Sequence, residues 1–358
     1  MKILLLGEFS GFYSNLKDGL IALGHNVVFV SHTDGLRKIK NSDYSLDPKL
    51  GGFLGKIEIR IKLLAILLKL KDFDVVQLIN PFIFYYKLFP KKYFFYKIQK
   101  QNKKFYLSAA GTDAFYFQIS SKILRYGPFE DILKFDIKKN TYLYQNKNAF
   151  NFNKEILQIS NGIIPMSFEY ECGYAKEKNL KSTLPLPINI SKYDYTDNNV
   201  KDKIIIFHGY NFSRKGIKGT HHVQEAFKIL EKKYSNKVLF LMKEGLTFDK
   251  YLKLLPNVNI VVDQTNSYSA GMNALIAMSF GRVVLSGAEP ESLKSLKIKK
   301  TPVINIFPSA KSIIAELDKL INNQSLIKKI GFESRQFVEK NHDHILIAKK
   351  YLDIWKNK

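Results

Sequence analysis

The chain has one cysteine, few acidic side chains and no long apolar run, and these shortages limit what kind of protein it can be. Cys172 has no partner for an intrachain disulfide, which fits a reducing compartment. No CxxC motif is present and no pair of histidines has metal-ligand spacing, so we expect no metal site. No apolar stretch reaches the roughly 20 residues that a membrane-spanning helix needs. We therefore expect a cytoplasmic protein, either soluble or peripheral on the inner face of the plasma membrane.

The shortage of acidic residues gives the chain a large positive charge. Against 56 lysines and arginines stand 32 aspartates and glutamates, for a formal net charge of +24. Such a charge favours an anionic partner, namely a nucleotide diphosphate, a nucleic acid or an anionic membrane face. The 358 residues, of which 46% are hydrophobic, suffice for two domains with sizeable cores.

The first half of the sequence alternates apolar runs with polar turns, which is typical of a Rossmann-like domain. Its start, MKILLLGEF, is too short for the core of a signal peptide and is interpreted as the strand Lys2 to Leu6. The following turn contains Gly11 but no GxGxxG, so a dinucleotide site is not supported. A later strand ends in the turn Ala110-Gly111-Thr112-Asp113. The polar linker between Pro187 and Lys203 indicates a domain boundary.

A basic, glycine-rich loop opens the second half. The strand Ile204 to Phe207 is followed directly by HGYNFSRKGIKG, which carries three cations and three glycines before a long helix. Glycine allows the backbone to approach a ligand closely, and arginine and lysine neutralise a diphosphate. The loop therefore predicts a phosphate site, with an ordinary solvated basic loop as the alternative.

A second stretch, from Val258 to Glu291, has the order strand, polar turn, helix, strand. The helix begins at Gly271-Met272-Asn273 and ends at Gly281, after which the next buried strand starts. In such a unit, ligands sit at the carboxyl ends of the strands, and the N–H groups at the helix start suit a phosphate. An ordinary turn of an α/β fold is the alternative.

Together these two stretches resemble the second domain of GT-B glycosyltransferases, specifically the family 4-like group. In that family an arginine and a Lys-Gly pair after the domain's first strand hold the donor diphosphate, and Arg214 and Lys218-Gly219 match this pattern. The family pattern GxxxLEAMxxGxPVV is partly matched by Gly271 to Leu285. The resemblance implies an α/β fold in which two Rossmann-like parallel-sheet domains face a cleft. We assign residues 1–190 to the acceptor domain, 203–340 to the donor domain and 341–358 to a helix crossing back to the first domain.

The resemblance also implies a reaction and a set of site residues. The chain would move a sugar from a nucleotide-diphosphate sugar to a saccharide or polyprenyl-linked acceptor in cell-surface polysaccharide synthesis. The family mostly retains anomeric configuration and needs no metal or other cofactor. An inverting route would need a base, for which Asp113 or His208 is available, although Asp113 could instead cap the helix that follows it. The expected catalytic residues are Arg214, Lys218 and Asp113. The expected donor-binding residues are Gly11, His208, Gly209, Gly219, Gly271, Met272, Asn273, Glu289 and Glu291.

One feature of the family is missing. Its members usually carry two glutamates eight positions apart, the second of which binds the donor ribose, but here these positions are Tyr268 and Ile276. Glu289 and Glu291 are the nearest acids that could take over, with a polar loop as the alternative. The loss leaves a non-catalytic GT-B scaffold open as a function. A basic nucleic-acid-binding protein is also open, because 20 tyrosines and 27 phenylalanines suit that class.

A lysine-laced helix from Phe53 to Lys71 predicts a docking surface in the first domain. At about 100° per residue its apolar side chains form two stripes, whereas a surface helix needs only one. The stripes are Ile57, Ile61, Leu64 and Leu68, and Ile59, Leu63, Ile66 and Leu70. One stripe must therefore meet another helix, a partner or lipid, or be covered by the chain's own loops, such as 127–150. The nearby lysines among many aromatic residues favour an anionic membrane.

Overall fold

The chain folds into two halves, each built on its own parallel β-sheet. The computed structural model describes residues 1–32, 41–86, 88–129, 131, 143–211 and 215–357. The two separate sheets, each flanked by helices, confirm the predicted α/β class with two Rossmann-like domains. Residue Arg214, one of the expected catalytic residues, lies outside the described residues.

The first sheet contains six parallel strands: β1 (Lys2–Leu6), β2 (Asn26–Ser31), β3 (Tyr44–Ser45), β4 (Val75–Leu78), β5 (Phe105–Ala109) and β6 (Gly162–Pro165). They lie in the order β3-β2-β1-β4-β5-β6, and every neighbouring pair is parallel. The helices of this half are α1 (Phe12–Ala22), α2 (Gly52–Leu67), α3 (Lys91–Lys100), α4 (Ser121–Ile123), α5 (Lys147–Gln158) and α6 (Phe168–Tyr174).

Strand β1 shows why such strands are continuous apolar runs in the sequence. Ile3 and Leu5 belong to the apolar cluster on one face of the sheet, and Leu4 and Leu6 belong to the cluster on the other face. All four side chains are fully buried. Because helices cover both faces of a parallel sheet, every position of a central strand favours an apolar side chain.

The second sheet contains β7 (Ile204–Tyr210), β8 (Val238–Glu244), β9 (Ile260–Val262), β10 (Val283–Ser286) and β11 (Ile304–Asn305). These strands lie in the order β11-β10-β9-β7-β8 and are also parallel. The helices around it are α7 (Lys215–Lys218), α8 (Thr220–Lys233), α9 (Phe248–Leu254), α10 (Met272–Ser279), α11 (Pro290–Ser295), α12 (Ala310–Asn322) and α13 (Ser325–His342).

The last helix, α14 (His344–Lys356), packs on the first half although it follows the second in sequence. The indole N–H of Trp355 donates to Oε1 of Gln77 in β4 at 2.9 Å, and Lys104 Nζ donates to the Trp355 carbonyl at 2.6 Å. Helix α1 approaches so closely that a Cβ at Gly19 would lie 2.2 Å from the carbonyl oxygen of His344. The C-terminal helix therefore joins the two halves.

Helix α2 buries one of its two apolar stripes and exposes the other. Leu63 is fully buried, as is Leu70 just beyond the helix, whereas Ile61 and Leu68 are 60% and 72% exposed. Phe53, at the start of the helix, is 73% exposed. The exposed stripe is the one that contains Ile57, Ile61, Leu64 and Leu68. In the described part of the chain no helix combines the length and apolar character that crossing a bilayer would take.

Candidate functional site

A cleft of about 900 Å3 separates the two halves. The carboxyl ends of β7 and β9 and the first residues of α10 form its wall on the second half, which is where parallel sheets bind ligands. Of the expected site residues within the described ranges, five line it: Gly209, Lys218, Gly271, Met272 and Asn273. The opposite wall is largely aromatic and includes Phe9, Phe82, Tyr116, Phe129, Tyr144 and Tyr170.

The amino end of helix α10 faces this cleft. Gly271 is the extended N-cap, and the first hydrogen bond of the helix runs from Leu275 N to the Gly271 carbonyl at 3.1 Å. N–H groups before that point have no acceptor within a helix and carry its positive dipole end. A Cβ added at Gly271 would meet nothing closer than Gln264 Nε2 at 3.8 Å, so the approach to the helix end is open. This geometry suits a phosphate group.

Lys218 brings a positive charge to the same cleft. Its Nζ lies 2.8 Å from Oδ1 of Asp263, a buried carboxylate that follows β9, and 3.1 Å from the Gly209 carbonyl oxygen. The side chain of Lys218 is 18% exposed. Asp263 therefore holds the ammonium group beside the cleft, where an anionic ligand would compete for it.

Gly219 shapes the loop beside Lys218 and is not part of the cleft lining. Its φ is +65°, in the left-handed region that glycine adopts without strain. A Cβ there would lie 2.0 Å from Thr265 Oγ1 and 2.7 Å from Asn266 Oδ1. The glycine is required because the turn after β9 packs directly against it, with Thr265 N donating to the Lys218 carbonyl at 3.0 Å.

His208 is a buried histidine whose two ring nitrogens have partners inside the protein. Nδ1 lies 2.7 Å from the Val262 carbonyl oxygen and Nε2 lies 3.1 Å from Thr220 Oγ1. Burial, with a smaller contribution from Lys218, lowers the pKa of His208 to about 4. The imidazole is therefore neutral and donates from Nδ1 to the carbonyl. His208 does not line the cleft, so the structure does not bring it to the candidate donor site.

Asp113 and Gly11 are also engaged away from the cleft. The Asp113 carboxylate accepts from Tyr116 N and from the Tyr174 hydroxyl, each at 2.7 Å, and burial raises its pKa to about 6. Asp113 therefore caps the chain that follows, the alternative to its expected catalytic role. The Gly11 amide donates to Glu8 Oε1 at 3.1 Å, and Glu8 also accepts from the first turn of α1. The neighbouring Ser10 faces the cleft instead.

Glu289 and Glu291 join the two halves at the side of the cleft and do not line it. Arg125 lies 2.7 Å from Glu289 Oε2 and also pairs with Glu291, whose pKa it lowers by hydrogen bonding. The Tyr126 hydroxyl donates to Glu289 Oε1 at 2.7 Å. The two carboxylates that were expected to bind the donor therefore already accept hydrogen bonds from Arg125 and Tyr126. Tyr268, at the first of those positions, stacks on Tyr126 with ring centroids 4.8 Å apart.

Ile276, at the position of the second missing glutamate, is a core residue. It is 1% exposed and belongs to the apolar cluster that contains Leu275, Ala277 and Val338. Helix α10 therefore turns this position away from the cleft. In this geometry a side chain at position 276 points into the core and does not reach a ribose bound in the cleft.

Glu169 is a cleft residue that the sequence analysis missed. It is buried at the start of α6 in the first half, yet its carboxylate accepts from Tyr268 N and Ser269 N of the second half at 2.8 and 3.0 Å. The hydroxyls of Ser267 and Ser269 donate to it as well, each at 2.7 Å. A carboxylate from the first half thus reaches the turn that precedes α10. No local sequence signal could indicate this contact, because its partners are distant along the chain.

One group of described side chains could hold a metal ion. Asp131, His221 and His222 place one ligand atom each within 4.8 Å of one another. They lie beside the cleft, because Asn266, which lines it, donates to Asp131 Oδ2 at 2.6 Å.

Several solved structures share this fold. The sucrose-phosphate synthase of Thermosynechococcus elongatus matches with a TM-score of 0.65 at 15% identity, over 99% of this chain and 98% of that chain. The Anabaena protein HepE, in complex with UDP and glucose, matches with a TM-score of 0.62 at 12% identity over 99% and 98%. The UDP-GlcNAc 2-epimerase of Neisseria meningitidis, bound to UDP-GlcNAc, matches with a TM-score of 0.54 at 12% identity over 99% of both chains. Neither a protein-family model nor a curated protein sequence matches. At these identities the likeness shows the fold, which is the GT-B arrangement of two Rossmann-like domains around a cleft.

Proposed function

We propose that the chain is a glycosyltransferase that moves a sugar from a nucleotide-diphosphate sugar to an acceptor hydroxyl. The observation that carries the proposal is that two features suited to a phosphate lie at one cleft of a GT-B fold. These features are the amino end of α10 and the ammonium group of Lys218. The cleft is large enough for a nucleotide sugar, since ligand pockets are usually about 300–1,000 Å3.

Charge on the leaving diphosphate sets the chemistry of this site. The diphosphate gains negative charge as its bond to the sugar breaks, so preorganised donors aimed at it lower the barrier. The N–H groups at the start of α10 supply such donors on one side. Lys218 supplies a cation on the other side, after its ammonium group exchanges the Asp263 carboxylate for a phosphate oxygen. Arg214, outside the described residues, is proposed as a second cation for the diphosphate. No metal or other cofactor enters this proposal.

Retention of anomeric configuration is the proposed stereochemical course. The carboxylates among the described lining residues are Glu169 and Asp263, and both already have partners. An inverting route needs a base that faces the acceptor hydroxyl. Asp113 and His208 were the expected candidates, and both are buried with hydrogen-bond partners elsewhere.

The donor is proposed to be a UDP-sugar, because HepE and the 2-epimerase are described in complexes with UDP or a UDP-sugar. The test is release of nucleoside diphosphate from a panel of nucleotide sugars, with binding measured by calorimetry. Lys218→Ala removes a charge-assisted contact worth roughly 1.5–3 kcal/mol, so we expect about 10- to 100-fold weaker binding. Lys233→Ala is the matched control, since it removes the same charge from a surface pair with Asp318. Unchanged affinity in Lys218→Ala would contradict the assignment.

The acceptor is proposed to be a saccharide or a polyprenyl-linked saccharide of cell-surface polysaccharide synthesis. The aromatic wall on the first half supports this proposal, because flat rings pack on sugars and on isoprenoid chains alike. Turnover with a polyprenyl-diphosphate saccharide compared with the free saccharide would separate the two. Nucleotide-sugar binding without turnover on either acceptor would favour a non-catalytic scaffold, the alternative that the burial of Ile276 keeps open.

A lipid-linked acceptor would require the enzyme to reach a membrane, and we propose that α2 provides the contact. Its exposed stripe includes Ile61 and Leu68, and basic residues flank it on the same helix. Apolar side chains next to lysines suit an anionic leaflet. The test is co-sedimentation with anionic and neutral liposomes at physiological salt.

We expect the wild type to bind anionic liposomes and the variant Ile61→Glu/Leu68→Glu to lose binding. Ile229→Glu is the control, because Ile229 is 46% exposed on α8 in the other half. Changing Lys91, Lys92 and Lys97 to Glu, together with Lys87 outside the described residues, should also reduce binding. Equal binding by all variants, or no binding by the wild type, would contradict the membrane proposal.

A further inference from the structure

Three metal-ligating side chains from the two halves converge beside the cleft. Asp131 Oδ1 lies 3.9 Å from His221 Nε2, and the ring centroids of His221 and His222 are 3.8 Å apart. Two atoms that each lie about 2.1 Å from one ion are at most about 4.2 Å apart. At 3.9 Å the Asp131 and His221 atoms are within this limit, and they lie about 0.5 Å farther apart than the roughly 3.4 Å of two ligands in a tetrahedral site. The candidate ligand atoms of all three side chains lie within 4.8 Å of one another, so the wider separations must shorten when an ion binds.

The geometry points to a site for one divalent transition-metal ion, with Zn2+ as the best fit, held by Asp131, His221 and His222. Two imidazoles and one carboxylate form a ligand set that zinc uses with a fourth, open position for water. Hard cations such as Mg2+ prefer oxygen ligands, so this set disfavours them. The side chains of His221 and Asp131 are 30% and 14% exposed, which lets an ion enter from solvent.

A supporting hydrogen bond orients the carboxylate of this site. Asn266 Nδ2 donates to Asp131 Oδ2 at 2.6 Å, which leaves the other oxygen, Oδ1, directed towards His221. Such contacts behind a metal ligand commonly set its orientation, and their loss weakens metal binding about 10- to 100-fold. Asn266 also donates to the Gly216 carbonyl at 2.8 Å, so it is itself held in place.

The proposed ion would tie the two halves of the molecule together. Asp131 belongs to the first half of the chain, whereas both histidines lie in the first turn of α8 in the second half. Arg125 already connects the halves through Glu289 and Glu291 a few residues away in sequence. A metal at Asp131 adds a second link between the halves, close to α7, because Asn266 contacts both Asp131 and the Gly216 carbonyl. The proposed metal site does not depend on nucleotide-sugar transfer, so each proposal can be tested without the other.

The test uses the full chain after removal of metal with a chelator. Titration with Zn2+ by calorimetry, and with Co2+ by its visible absorption, should give one ion per chain and the intense bands of a nearly tetrahedral cobalt site. Melting temperature should rise with Zn2+ and not with Mg2+. A wild-type protein that binds no stoichiometric Zn2+ or Co2+ overturns the proposal.

Variants identify the ligands. The double variant His221→Ala/His222→Ala should lose the cobalt bands, and Asn266→Ala should weaken Zn2+ binding about 10- to 100-fold. His25→Ala is the matched control and should bind as the wild type does, because His25 lies in the first half near the N-terminus. Should the double variant fail to fold, the single variants His221→Gln and Asp131→Asn take its place, each read by cobalt absorption. Unchanged cobalt spectra in the ligand variants would overturn the assignment.

Discussion

Placing a glutamate at position 276 tests whether this position belongs to the core or to the ligand site. Ile276 is 1% exposed inside an apolar cluster, so Ile276→Glu would bury a carboxyl group. Burial disfavours the charged form and raises the pKa of a buried glutamate to roughly 8–9 from about 4.3 in the unfolded chain. The substitution should therefore destabilise the protein, and it should do so more strongly as the pH rises.

The size of the effect follows from the pKa difference. Above about pH 4.3 the unfolded state loses its proton while the folded state keeps it, so the free energy of unfolding falls with pH. One pKa unit corresponds to about 1.36 kcal/mol, and three pH units correspond to about 4 kcal/mol. Between pH 5 and pH 8, Ile276→Glu should thus lose up to about 4 kcal/mol relative to Ile276→Gln, which has the same shape without the ionisable group.

The assay is urea denaturation followed by circular dichroism, with both variants measured at pH 5 and pH 8. Ile276→Val serves as a mild control, since loss of one buried methylene costs roughly 0.5–1.5 kcal/mol. The reasoning fails if Ile276→Glu and Ile276→Gln unfold at the same urea concentration at both pH values. It fails as well if Ile276→Glu folds normally and binds nucleoside diphosphates more tightly than the wild type.

Three further changes test other parts of the structure. Glu169→Gln should lower the urea midpoint of unfolding and weaken donor binding. A charge-assisted hydrogen bond is worth roughly 1.5–3 kcal/mol, and the Glu169 carboxylate accepts several. An unchanged midpoint would show that the contact between Glu169 and the turn 267–269 does not stabilise the protein. Gly219→Ala should reduce the melting temperature more than Gly24→Ala, since both have positive φ but only Gly219 would collide with Thr265; equal shifts would contradict the close packing. Arg125→Met should lower the melting temperature, because it leaves the Glu289 and Glu291 carboxylates without their cation. An unchanged melting temperature would show that these ion pairs do not stabilise the protein.

The strands and the cleft elements were predictable because their signals are local. The apolar run Ile204 to Phe207 indicated β7, which the structure extends to Tyr210, and burial on both faces explains the signal. The helix start at Gly271 was indicated by a glycine after a polar turn, and it faces the cleft. Strand β3, Tyr44–Ser45, was missed because two residues carry no periodicity.

The contacts between the halves could not be predicted from sequence because they join distant segments. Glu169 reaches Ser269 and Arg125 reaches Glu289 only after both domains have folded and docked. For the same reason Glu289 was expected in the donor site although its oxygens bind other groups. The burial of His208 and Asp113 likewise follows from packing around strand ends, which residue type alone does not reveal.

The most direct measurement is the affinity of the chain for a panel of nucleoside diphosphates, each compared with its parent nucleoside. If the amino end of α10 and Lys218 bind a diphosphate, at least one nucleoside diphosphate should bind at least 100-fold more tightly than its nucleoside. UDP is the first candidate. That preference should shrink in Lys218→Ala and persist in Lys233→Ala. Equal affinities for nucleoside and diphosphate across the panel, or no binding of any diphosphate, would contradict the account.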